Sequence, residues 1–292
     1  MPPALPRGLL AAALLAAAAG PAAADAVSDK QKAAALANMK KAEVASPVVA
    51  ETDNLIVVAA VPEPKVKAMA AALDKVYALA RKTLKYGDGD KPFTGKLTVY
   101  YLPDRQYKQF MRGVVGERAG DNAHYALKGD EPFVAVSPEL PEKPTDADVN
   151  GEVGAVVAAA LLAKKAPTAD FPEWVRAGFG RVTAMRAEGP QSRRYLAYKT
   201  QARTLVLGGK GRPSAPIGDV WGGRTKESET LAVSLIDYLA YGPGAAKLES
   251  FLNGFKPSES VPMPGIPNAL EAAGWKEPQL EAAWKKWVVT GK

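Results

Sequence analysis

The sequence predicts an α+β protein: a small N-terminal sheet with helices, followed by a mostly helical C-terminal half. Two observations carry this. The β-branched apolar runs suited to strands all fall before residue 140, and beyond it apolar residues recur at three- and four-residue steps. Strands first and helices later is the pattern of an α+β chain with one sheet, here about four mainly antiparallel strands. There is no internal repeat and no second domain boundary.

Residues 1–26, "MPPALPRGLLAAALLAAAAGPAAADA", carry one early cation, Arg7, an apolar run from Leu9 to Ala19, and Ala-x-Ala patterns at Ala22–Ala24 and Ala24–Ala26. That is the design of a secretory signal peptide, too short in its apolar run for the roughly 20 residues that span a bilayer. The expectation is an exported chain, periplasmic or extracellular, without a transmembrane anchor once the signal is removed. Export permits disulfides, but there is no cysteine, so the remainder must be held by its core. The net charge of +7 is unchanged by removing Arg7 and Asp25 together. The cations are spread along the chain and mixed with acids, so nucleic acid is not an expected partner, although binding to an anionic polymer through the basic surface is an alternative.

Residues 27–50 are rich in alanine and lysine without aromatic anchors and read as a helix or loose tether, with a single domain over 51–292. "NLIVVAAV" (54–61) is a buried strand. Val66, Met69, Leu73, Val76, Tyr77, Ala80 and Leu84 mark an amphipathic helix over 65–84. "GKLTVYYL" (95–102) is a second strand, and the segment after it is a short helix that Asp104 is placed to cap. "NAHYAL" and "PFVAVSP", separated by "KGDE", read as a hairpin over 122–137.

After a proline- and acid-rich loop come helices at 148–164, 172–187, 191–206, 226–241, 244–254, 266–273 and 277–289. The loop 208–223, "GGKGRPSAPIGDVWGG", interrupts them. Its glycines with Lys210 and Arg212 suggest an anion-binding loop, but the Gly-Lys-Ser/Thr ending of a P-loop is missing, so a flexible basic loop is the better reading.

Within the helical half, "FPEWVRAGFG" (171–180) opens a helix on Pro172 and Trp174 and continues through Val175, Gly178, Phe179 and Gly180. The C-terminal part has a helix, a glycine turn, a short helix and a last helix ending in Trp284-x-x-Trp287. In order and spacing these parts resemble the peptidase-MA-like family of zinc metallopeptidases, the gluzincin or thermolysin-type group, over roughly residues 52–289. The resemblance implies a catalytic helix bearing His-Glu-x-x-His and a third ligand, a glutamate, on the following helix. Those functional slots fall on Val153, Gly154, Val157 and Ala177.

Two histidines four residues apart aim both imidazoles at one zinc, and a glutamate beside the first acts as base on the metal-bound water. This chain has one histidine in total, His124, and no cysteine, so no placement supplies that site. Apolar residues in the slots let the two helices close as ordinary core. No cofactor and no metal are therefore expected.

The expectation is an exported, catalytically inactive metallopeptidase-like protein, leaning away from an enzyme. As a pseudopeptidase it binds a peptide or envelope protein along the former cleft, or serves as a structural module of the envelope. His124, Tyr125 and Trp174 are the candidates for lining that cleft. An alternative is a metal-independent hydrolase using His124 or cleft carboxylates. It lacks a Gly-x-Ser-x-Gly elbow, and a hydrogen-bonded structural role for His124 is the plainer reading. The tryptophans near the C-terminus read as core.

Overall fold

The computed structural model describes residues 21–208, 214–221 and 225–291. The signal-like stretch up to residue 20 and the basic loop with Lys210 and Arg212 lie outside the described residues. The chain is α+β, with a five-stranded sheet on the N-terminal side and a mostly helical second half.

It begins with α1 (Pro21–Lys41), whose backbone runs through both Ala-x-Ala patterns, and continues through β1 (Val48–Glu51) and β2 (Leu55–Ala59) to α2 (Glu63–Thr83) and β3 (Leu97–Tyr101). Next come α3 (Asp104–Phe110) and the hairpin β4 (Ala123–Ala126) and β5 (Phe133–Val136). The second half holds α4 (Asp146–Lys165), α5 (Glu173–Glu188), α6 (Arg193–Leu207), α7 (Gly218–Trp221) and α8 (Lys226–Tyr241). It ends with α9 (Leu248–Asn253), α10 (Ile266–Ala272) and α11 (Glu277–Thr290).

The sheet order is β1-β2-β3-β5-β4. The outer pairs β1/β2 and β4/β5 are antiparallel, but β2/β3 and β3/β5 are parallel, so the sheet is mixed rather than mainly antiparallel. The cause is α2: a long helix between β2 and β3 returns the chain to the edge where β2 began, and a strand entered that way runs parallel to its predecessor. The fifth strand, β1, hides in the sequence because it has four residues and only Ala50 is buried.

Strand alternation divides the core in two. Leu55, Val57, Leu97, Val99, Val134 and Val136 face α2 and the helical half. Ile56, Val58, Tyr100 and Ala135 face the other way, where Ala35, Met39 and Ala42 of the first helical segment, with Tyr107 and Phe110 of α3, cover them. Of the two readings of residues 27–50, helix or loose tether, the structure has the helix, up to Lys41, and its apolar seam packs on the sheet ahead of Glu51. Alanines and one methionine at Ala35, Met39 and Ala42 make a narrow apolar seam that suffices because the sheet supplies the bulk. Gln31 strengthens the join, donating from Nε2 to the carbonyls of Lys96 at 3.1 Å and Asp130 at 3.2 Å. Asp104 does not cap α3; it sits inside the first turn, preceded by Pro103, and accepts from Lys108 at 2.7 Å.

Glu51 ties α1 to β1 and to the segment before β3. It accepts from Lys96 at 2.6 Å, from Lys32 at 2.9 Å and from the Ser28 hydroxyl. Burial on its own would raise this carboxyl, but the three donors outweigh burial and hold it at about 2. A depressed native pKa contributes stability that is present above the unfolded value of about 4.3 and is lost as pH falls toward 2. Chemical denaturation between pH 5 and 2 is expected to show stability falling through this window, with the fall shallower in Glu51→Gln. An unchanged slope in the variant would mean that the α1 clasp contributes nothing.

Candidate functional site

The four positions where the resemblance places metal chemistry lie on α4 and α5. Thr145 starts α4 with a capping box, its hydroxyl accepting from the Asp148 N–H at 3.2 Å while Asp148 Oδ2 accepts from the Thr145 N–H at 2.9 Å. Val153, Gly154 and Val157 are buried in the core, and Ala177 is half-buried. A Cβ at Gly154 would lie 3.1 Å from Val76 Cγ2 and 3.5 Å from Ala184 Cβ, so this slot faces α2 and α5 rather than an open cleft.

The two helices meet almost backbone to backbone. A Cβ at Gly180 would stand 2.3 Å from the Ala155 carbonyl oxygen, which no side chain tolerates. Among the described residues no three His, Asp or Glu side chains converge as metal ligands would. The donor set for zinc is missing from the chain itself, with its single histidine.

The three candidate cleft residues are not all brought together. Trp174 is buried at the start of α5, its ring 5.0 Å from Trp221 and 6.3 Å from Phe251. Tyr125 pairs across the hairpin with Val134 and so lies on the sheet face that carries α4 and α5. It is 38 % exposed, and Glu173 and Arg176 on the first turn of α5 act on it electrostatically. Loss of hydration first, then the Glu173 charge, push its phenol up to about 12, so it is a neutral donor at all ordinary pH values.

His124 pairs with Ala135 and lies on the opposite face, its half-buried ring 6.0 Å from Phe133. Among the described residues its contact is this ring packing, with no hydrogen bond to another side chain or backbone group. This placement removes His124 from the face that carries Tyr125 and Trp174. Period-two alternation contained that signal already, since neighbours in a strand cannot share a face.

Beside Trp174 two indole donors, Trp174 Nε1 and Trp221 Nε1, are buried with no acceptor among the described residues. Unpaired buried donors cost about 1–3 kcal/mol each, and both nitrogens are closed to solvent. The other tryptophans are core. Trp284 is fully buried and donates to Ser234 at 3.1 Å, and Trp287 packs on Tyr238 with centroids 5.8 Å apart.

Sequence reasoning missed a buried polar cluster where α5, α6 and α8 meet. Asp237, fully buried on α8, accepts from Arg186 Nε at 2.6 Å and from the Tyr195 hydroxyl at 2.9 Å. The Arg186 guanidinium also lies over the rings of Tyr195 at 5.2 Å and Tyr241 at 4.9 Å. Tyr241 in turn shares a hydrogen bond of 2.6 Å with Thr183. Burial raises the Asp237 carboxyl above its ordinary value, with Arg186 and Tyr195 opposing. The available signal was an aspartate in the apolar run "LAVSLIDYLAY", where an isolated charge is too costly to keep without a partner.

Comparison of the chain with protein-family models and with curated proteins finds no match to either. The geometry therefore stands by itself. The core at the α4/α5 contact predicts that Gly180→Ala destabilises the protein by about 3 kcal/mol or abolishes folding. Gly120→Ala, with no atom within 4 Å of the added carbon, should be neutral by thermal melting. For the polar cluster, Asp237→Ala is expected to cost about 2–3 kcal/mol by urea unfolding because it leaves the partly buried Arg186 guanidinium and the Tyr195 hydroxyl without their acceptor, whereas Tyr195→Phe costs about 1 kcal/mol.

Proposed function

We propose that this chain is a catalytically inactive, metallopeptidase-like protein, a pseudopeptidase that binds an extended peptide or protein segment in the envelope of the cell that exports it. The single observation that supports it most is the contact between Gly180 and Ala155. Where the resemblance calls for a metal held between two helices, the helices close on each other, and the polar slots are filled by Val153, Gly154 and Val157 in the core. Selection for hydrolysis would preserve donors; selection for a shape preserves the packing and lets the donors go.

What the frame retains suits binding. β4 is an edge strand, so its outward backbone groups can pair with an added strand. Tyr125 is exposed beside Glu173 and Arg176, which offer a phenolic donor, an acceptor and a cation along the same side. The register of β4 puts His124 on the sheet face opposite Tyr125, away from the side proposed for binding.

The test uses the protein without its first 26 residues, loaded with zinc and dialysed, then presented with a mixed peptide library. The expected result is zinc well below stoichiometric, no chelator-sensitive cleavage, and hydrogen-exchange protection of Ala123–Ala126 on peptide addition. Stoichiometric zinc with chelator-sensitive cleavage refutes inactivity. Peptide binding that leaves Ala123–Ala126 unprotected refutes the edge-strand mode.

A further inference from the structure

The outer face of α6 carries a pattern that the peptide-binding reading does not use. The helix has four cations, Arg193, Arg194, Lys199 and Arg203, and no acid. Arg194 turns inward to Glu188 at 2.7 Å and Glu152 at 3.3 Å. Arg193 and Arg203 are exposed and have no ion-pair partner among the described residues.

Between and beyond these arginines lie Leu196, 45 % exposed, and Leu207, 55 % exposed, two of the few large apolar side chains left open among the described residues. Steps of three and four residues put Arg193, Leu196, Thr200, Arg203 and Leu207 on one line along the helix. The helix is held rigidly with this line outward. Ser192 caps it, accepting from the Tyr195 N–H at 3.3 Å, and Tyr195, Ala202 and Val206 fix its other face.

We propose that this line docks the protein on an anionic lipid surface, with the two arginines on headgroup phosphates and the two leucines at the acyl boundary. Charge complementarity selects the partner. An acid-free basic helix on a chain of net charge +7 is drawn to a negative surface, and arginine suits phosphate by its planar fork. The leucines select lipid over a purely polar polyanion, because only lipid offers them an apolar phase. The contact is peripheral: two half-exposed leucines and two charges give reversible binding, and no described helix is long and apolar enough to cross a membrane.

The experiment is sedimentation with vesicles of phosphatidylcholine alone or with about 30 mol % phosphatidylglycerol, roughly the anionic charge of a membrane surface, at low and high salt. Wild type is expected to bind only the anionic vesicles, less at high salt. Leu196→Gln/Leu207→Gln, which keeps every charge, should lose about tenfold in partitioning, and Arg193→Gln/Arg203→Gln roughly thirtyfold. Lys40→Gln/Lys75→Gln removes the same charge from exposed positions elsewhere and should lose far less. Circular dichroism checks that each variant folds.

Absence of binding overturns the proposal. So does an equal loss in the Lys40/Lys75 control, or a leucine pair whose replacement changes nothing, both of which indicate general attraction to any polyanion. Equally tight, leucine-independent binding to a short DNA duplex overturns it in favour of nucleic acid.

Discussion

The close approach of α5 to its neighbours is the constraint on which the helical half depends. On one side Gly180 lets α5 touch the α4 backbone at Ala155. On the other, a Cβ at Gly178 would lie 2.9 Å from Ile236 Cγ1 and 3.3 Å from the Ala232 carbonyl of α8. Two glycines two residues apart thus face different helices, and α5 becomes the centre of a layer with α4 and α8 at its flanks. Glycine inside a helix costs roughly 1 kcal/mol relative to alanine, so keeping two requires a larger return from packing. The return is visible around them: Val153, Val157, Phe179, Val182, Leu235 and Ile236 are all essentially inaccessible to solvent.

This constraint explains why polar ligands cannot be introduced one at a time at Val153, Gly154 and Val157. A glutamate at Gly154 would have to pass Val76 and Leu73, and a charge there would lie among apolar side chains with no partner. Apolar side chains and helix closure reinforce each other. Once the helices touch, water is excluded, and any carboxylate or imidazole between them pays for burial without a metal to coordinate. The packed state is therefore resistant to single polar substitutions at these positions.

Much of the fold was legible in the sequence because its strongest signals are local. The amphipathic spacing of α2, the hairpin turn at Gly129 and Asp130, and the helical half all follow from patterns a few residues long. What was not legible depends on partners far away in the chain. β1 is a strand because β2 offers its edge, and the alanines of α1 are core because the sheet face of Ile56 and Val58 needs a cover. The parallel pairing of β3 follows from how α2 packs, not from any property of β3 itself. For the candidate site, that one histidine cannot make a two-histidine metal site was legible by counting. The separation of His124 from Tyr125 was legible too, by strand parity. The Arg186–Asp237 cluster was only half legible: Asp237 stands out in an apolar run, but its partners lie 51 and 42 residues away.

That cluster also bears on which way α6 faces. Its inward contacts are Tyr195, Ala202 and Val206, a thin apolar seam, while Leu196 and Leu207 stay outside. Rotating the helix by about one residue would bring Leu196 and Leu207 into the seam in place of Tyr195 and Val206, and Arg203 in place of Ala202. Such a rotation would pull the Tyr195 hydroxyl off Asp237, leaving a fully buried carboxylate short of a donor. Losing that hydrogen bond costs about 1.5–3 kcal/mol, comparable to what one leucine gains. The Arg194 contacts with Glu188 and Glu152 would break in the same movement, which decides the balance. Buried polar groups of this kind add little net stability but can fix a unique register. Here they hold two leucines in solvent, on a face where nothing in the core can use them.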